Sequence, residues 1–238
     1  MEQLSKKLYS KPERPIKIMQ FGEGNFLRAF VEWIIQDLND KGAINAGVAV
    51  VQPMPFGRVK DLADQDGLYT LRLEGINNGE NVKSSRIIDV IGDCLNPFTE
   101  YERFLKYGES EDLQVIISNT TEAGIAVDPE DTDFTQCPKS FPGKLLALLK
   151  RRYDRFKGDP NRGLAIIPCE LIDDNGDELY RCLTELAEIN KMDKEFIKWM
   201  QTANKFTSTL VDRIVPGYPK NEIEQIQKET GYIDNNVV

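Results

Sequence analysis

Two glycines one residue apart, Gly22 and Gly24, separate an apolar run from an amphipathic stretch in IKIMQFGEGNFLRAFVEWIIQDLN, residues 16–39. At a strand-to-helix turn such glycines let the main chain approach a diphosphate, whose charge then meets free N–H groups at the helix start. The third glycine of a GxGxxG pattern is absent, because Leu27 stands there, followed by Arg28 and Ala29. Ala29 is small enough for close helix packing, and Arg28 offers a cation to a phosphate. A chance turn is the competing reading of GxG alone, but here a strand precedes the motif and a helix follows it.

In a dinucleotide fold the second strand ends in an acid that holds the adenosine ribose. Residues 48–51 are instead followed by Gln52-Pro53-Met54-Pro55-Phe56-Gly57-Arg58, with no acid until Asp61. The usual argument for NAD over NADP is therefore missing. Arg58 reads either as a contact for a 2′-phosphate or as a surface arginine before a helix.

Histidine is absent from the 238 residues, which removes the usual proton shuttle, any Ser-His-Asp or Cys-His nucleophile and any His-ligated metal. Acid–base work falls to Lys, Tyr, Asp or Glu, or to residues outside this chain. Cys94, Cys137, Cys169 and Cys182 form no CxxC pair, so reduced, mostly buried thiols are expected and no metal site is. With 39 acidic against 30 basic residues the net charge is −9, which offers no broad field to nucleic acid or anionic lipid. No apolar run approaches the roughly 20 residues of a membrane span, and residues 1–13 lack a signal-peptide core, so a cytoplasmic protein is expected.

The elements that must position the glycine bend follow from periodicity. Buried strands are predicted at 16–20, 47–51, 114–118 and 163–167, and helices at 26–39, 98–106, 141–156 and 176–189. Their alternation predicts an α/β fold, a doubly wound, mostly parallel sheet with right-handed crossovers. Strand-like runs at 68–73 and 82–90 flank Asn78-Gly79 and predict an antiparallel hairpin at one edge. Residues 128–140 predict an exposed loop.

FGEGNFLRAF, residues 21–30, resembles the GxGxFxRA signature of the long-chain polyol dehydrogenases, the mannitol dehydrogenase family. QDGLYTLRL (65–73), SNTTEAGI (118–125), IIPCELIDDNGDEL (166–179) and STLVDRIVPGYP (208–219) agree with it in order, over nearly the whole chain. Several of these blocks agree best with its tagaturonate reductase branch; fructuronate reductases and polyol dehydrogenases are the sister readings, and a nucleotide-binding module without catalysis is the reading from another class.

The resemblance implies a Rossmann-like domain over 1–219, NAD as cofactor with NADP left open, and hydride transfer to a sugar-acid carbonyl. It implies that Gly22, Gly24, Asn25 and Phe26 form the pyrophosphate turn, that Thr120, Thr121 and Glu122 lie by the nicotinamide and its ribose, and that Asp212 faces the substrate. A hydrogen-bonded loop capping the strand is the alternative for 119–121, and a buried ion pair with Arg213 the alternative for Asp212. Mannitol dehydrogenases carry Cys-Asp-Asn where this chain has Cys169-Glu170-Leu171, and Leu171 has no hydrogen to donate to a carbonyl. Asn175 is the candidate replacement, against a plain left-handed turn residue. The family's catalytic Lys, Asn and His lie on a helical second domain, expected beyond the polar segment 220–238. That domain is the expected partner, and this segment by itself is expected to bind NADH weakly and to turn over little or nothing.

Overall fold

Val48, Ala49, Val50 and Val51 are all buried, as a strand covered on both faces requires. The computed structural model describes residues 1–238 apart from Glu122 and Asp212 and, at Asn77, the side chain. Strands β1 (Ile16–Phe21), β2 (Gly47–Val51), β5 (Ile91–Leu95), β6 (Val115–Ser118), β7 (Ala165–Pro168) and β8 (Lys205–Phe206) form one parallel sheet. Its spatial order is β5-β2-β1-β6-β7-β8. The order reverses beside β1, and the crevice at such a reversal is where ligands of open α/β sheets sit. The expected parallel α/β architecture is thus the observed one.

Successive residues point to opposite faces and divide the core in two. Met19, Phe21, Ala49, Val51 and Ile116 pack under helices α4 (Tyr101–Lys106), α5 (Phe141–Phe156), α6 (Asn175–Ile189) and α7 (Lys194–Ala203). Ile18, Val48, Val50 and Ile117 pack under α1 (Asn25–Ala29), α2 (Val31–Asp40) and α3 (Val59–Asp64). Helix α5 starts at an N-cap whose Ser140 Oγ accepts from Gly143 N at 2.9 Å, with Pro142 in the first turn. The preceding loop is not simply exposed: Asp131 is buried and its carboxylate accepts from the amides of Lys139 (2.6 Å) and Ser140 (3.0 Å).

Three expectations change. The hairpin of β3 (Tyr69–Asn77) and β4 (Glu80–Ile88) turns at Asn78-Gly79, both with positive φ, but it is a separate two-stranded sheet rather than an edge of the main one. Only two residues after β4, the chain starts β5, which becomes the edge strand beside β2. The single helix predicted at 26–39 is broken at Phe30, whose ψ is −73°. There the carbonyls of Arg28 and Ala29 accept side-chain donors, Tyr69 Oη and Arg213 Nη1, each at 2.7 Å.

The polar segment that opens at residue 220 folds back onto the sheet domain. Helix α8 (Ile223–Thr230) buries Ile226. Beyond it Leu4 N donates to Ile233 O at 2.8 Å, and Val238 exchanges hydrogen bonds with Thr70 O (3.0 Å) and Arg72 N (2.8 Å) of β3. The Asp234 carboxylate accepts from Thr70 N (2.6 Å), Gln65 Nε2 (2.7 Å) and Asn236 N (2.8 Å). Residue 219 therefore marks no break in packing.

Candidate nucleotide-binding site

Gly22 follows β1 directly and has φ +116°, a conformation that L side chains rarely adopt. A Cβ there would stand 2.7 Å from the carbonyl oxygen of Asn119, at the end of β6. Glycine is thus required twice, once by dihedral and once by the closeness of the two strand ends. At Gly24 the backbone is ordinary and an added Cβ would meet nothing within 4 Å, so this side of the bend is open. Among the described residues no group of the chain accepts from the amides of Gly24, Asn25 or Phe26. Open space, free donors and a strand-end crevice are what a diphosphate needs, and the bend fits one.

Arg28 does not face that opening. It is buried, with Nε 3.2 Å from Glu23 O, Nη1 2.5 Å from Asn236 O, Nη2 bonded to Asn25 Oδ1, and its guanidinium over the Tyr69 ring at 5.0 Å. The phosphate partner expected from sequence is instead a brace that ties the bend to residue 236. Beneath it Glu32 is fully buried, accepting from Gln20 Nε2 at 2.8 Å and sharing with Arg28 O the hydroxyl of Tyr69, which lies 2.7 Å from its other oxygen. Burial pushes its carboxyl above the ordinary range, opposed by those hydrogen bonds and the Arg28 charge.

On the β6 side, Thr120 and Thr121 follow Asn119. Thr121 carries φ +90°, a strained value for a β-branched residue. The loop is fastened by Glu170, which is buried at the end of β7. One carboxylate oxygen accepts from Thr120 N (2.9 Å) and Thr120 Oγ1 (3.0 Å), the other from Ser118 Oγ (3.0 Å). The sequence reading passed over Glu170 for its neighbour Leu171, which is 64% exposed. An acid between apolar residues at a strand end was the available signal.

Asn175 is fully buried and has no amide hydrogen to offer a substrate. Its Nδ2 donates to Glu170 O (2.9 Å), Thr209 O (3.1 Å) and Thr209 Oγ1 (3.2 Å), and its Oδ1 accepts from Thr209 N (2.9 Å). The left-handed residue is Asp174, so neither sequence reading of Asn175 describes it. It joins the ends of β7 and β8. Glu122 and Asp212 lie outside the described residues. Arg213, next to the latter, stacks over Phe30 and Trp33 at 5.2 and 4.8 Å and so leads the stretch 213–219 across the α1–α2 break.

Hollows flank the bend on both sides. One of about 450 Å³ lies beyond β2 and β5, lined by Gln52, Phe56, Gly57, Cys94 and Asn96. Others of about 310 and 490 Å³ lie around Thr120, Thr121, Ala123 and Leu171. Another, of about 620 Å³, lies between β3, Ala29 and the stretch 213–219. The smaller ones lie by the loops that follow β2, β6 and β7, on the strand-end side where open α/β sheets take their ligands. Burial raises all four thiols, Cys94 to about 12 and Cys137, Cys169 and Cys182 to about 11, so none is an activated nucleophile. Among the described residues no group of three or more acids and thiols is placed to hold a metal, and no helix is long and apolar enough to cross a membrane.

The chain matches known proteins along its length. Residues 16–235 fit the model of the mannitol dehydrogenase Rossmann domain. Altronate oxidoreductase of Bacillus subtilis is 46% identical over 239 residues, covering 100% of this chain and 50% of that protein. The Bacteroides thetaiotaomicron protein of that name is 46% identical over 238 residues with the same shares. Mannitol 2-dehydrogenase of Pseudomonas fluorescens, solved as a ternary complex with NAD and D-mannitol, superposes with TM-score 0.80 at 22% identity, over 96% of this chain and 50% of that one. The chain spans about half the length of the curated relatives it matches. By sequence and by fold, it belongs to the mannitol dehydrogenase family, as the Rossmann domain of that family.

Proposed function

We propose that this chain is the nucleotide-binding half of an oxidoreductase that interconverts tagaturonate and altronate, with NAD(H) lying across the strand ends at Gly22. The observation that carries the reading is the open glycine bend against Asn119, in a chain 46% identical throughout to a protein named altronate oxidoreductase. When bound, the nicotinamide supplies or accepts the hydride. The chain's own residues orient it. The amides of Gly24, Asn25 and Phe26 face the diphosphate, while Thr120 and Thr121, with Glu122, hold the nicotinamide arm; Asp212 lies on the substrate side.

Leu171 offers no donor to the reacting carbonyl and Asn175 has spent its own. The acid–base group and the polarising donors are therefore assigned to the half of the relatives' length that this chain does not span. Leu210 and Ile214, each 91% exposed on either side of Asp212, are the apolar surface on which that half would rest. Absence of a polarising residue at position 171 favours the uronate branch over the polyol branch. Altronate, mannonate and mannitol, assayed side by side with NAD on the full-length protein, test the assignment. Oxidation of altronate well above the other two is expected; preference for either of the others overturns it.

A further inference from the structure

The structure supplies an acid where the second strand lacks one. Glu23, the residue between the two glycines, reaches sideways to the loop after β2, where its Oε1 accepts from Arg58 N at 3.1 Å. Gly57 makes room for it. A Cβ on Gly57 would lie 2.2 Å from Glu23 Oε1 and 2.6 Å from Gln52 Oε1, although the backbone at Gly57 has no positive φ to demand glycine. The carboxylate thus sits between the bend and two residues, Gln52 and Gly57, that line the hollow beyond β2 and β5. Among the described residues nothing in the chain donates to its Oε2. The nearby cation is turned elsewhere: Arg58 Nε binds Asp61 Oδ2 at 2.7 Å and its Nη2 lies 3.4 Å from Asn235 O.

Resting on the nucleotide reading above, we propose that Glu23 is the specificity-determining acid of the adenosine arm. Its carboxylate accepts from the ribose hydroxyls of NAD(H) and repels the 2′-phosphate of NADP(H). The glycine turn itself, rather than the end of the second strand, carries the discrimination. Arg58, held by Asp61, does not offset the repulsion.

Calorimetry of the full-length protein with NADH and with NADPH tests this. The native sequence is expected to bind NADH at least about tenfold more tightly than NADPH. Glu23→Gln and Glu23→Ala are each expected to bring the two affinities within about threefold, by weakening NADH and strengthening NADPH. Gly57→Ala, whose methyl displaces the carboxylate, is expected to weaken NADH in the same direction. Arg58→Ala is expected to keep the native preference. An undiminished preference in both Glu23 variants, with thermal melts showing them folded, overturns the proposal while leaving the nucleotide site intact. A native protein that binds neither nucleotide overturns both.

Discussion

Gly22 answers two demands at a single position, the +116° φ of the bend and the 2.7 Å approach to Asn119 O. Gly22→Ala is expected to lower stability by about 3 kcal/mol, read as a urea midpoint, because the methyl meets backbone that cannot give way. Glu32 yields a pH dependence. Burial raises its pKa in the native state, so the folded form keeps a proton that the unfolded form releases. Its contribution to stability therefore falls as pH rises from the ordinary carboxylate range through the raised pKa. Glu32→Gln removes that linkage, and its urea midpoint relative to the native sequence is expected to climb as pH rises above the ordinary carboxylate range. A difference that stays flat would mean that Glu32 is charged throughout. Gly22 was legible in the sequence because its demand is local, a turn between adjacent strand and helix patterns. Arg28 and Asn175 were misread because their partners, Asn236 and Thr209, stand 208 and 34 residues away and leave no mark in neighbouring sequence.

The ends of β6, β7 and β8 act as one unit because Glu170 holds Thr120 and Asn175 holds Glu170 O to Thr209. Through that unit the proposed nicotinamide arm is joined to the stretch that leads to Asp212. Glu170→Ala leaves Thr120 N and Ser118 Oγ without acceptors in a buried place and is expected to cost about 2–3 kcal/mol in chemical unfolding. Glu170→Gln keeps an acceptor for Thr120 N, so its loss is expected to be under about half as large. Equal losses would assign the role of Glu170 to packing rather than to its oxygens. Periodicity located the four central strands, since each is apolar on both faces. It could not separate β5 from the hairpin strand before it, because two residues suffice for the chain to change both partner and sheet. Nor did it show the break at Phe30, which depends on donors from Tyr69 and Arg213, far from the helix in sequence.

At the scale of the molecule, the segment after residue 219 is a fastening of the domain that its polar composition did not announce. Asp234, buried and accepting three hydrogen bonds, anchors it, and Asp234→Ala is expected to cost about 3 kcal/mol of unfolding free energy. Weaker NADH binding is expected alongside, since Arg28 braces the bend through Asn236; unchanged affinity would show the bend to be self-supporting. The pairing of Leu4 with Ile233 and of Val238 with β3 also fixes the order of events during synthesis. While the polypeptide leaves the ribosome, at roughly 5–20 residues per second, the six-stranded sheet can assemble with one flank of β3 and the socket around Leu4 still bare. Closure waits for residues 233–238 to emerge, so until then that flank of the nascent sheet domain stands open.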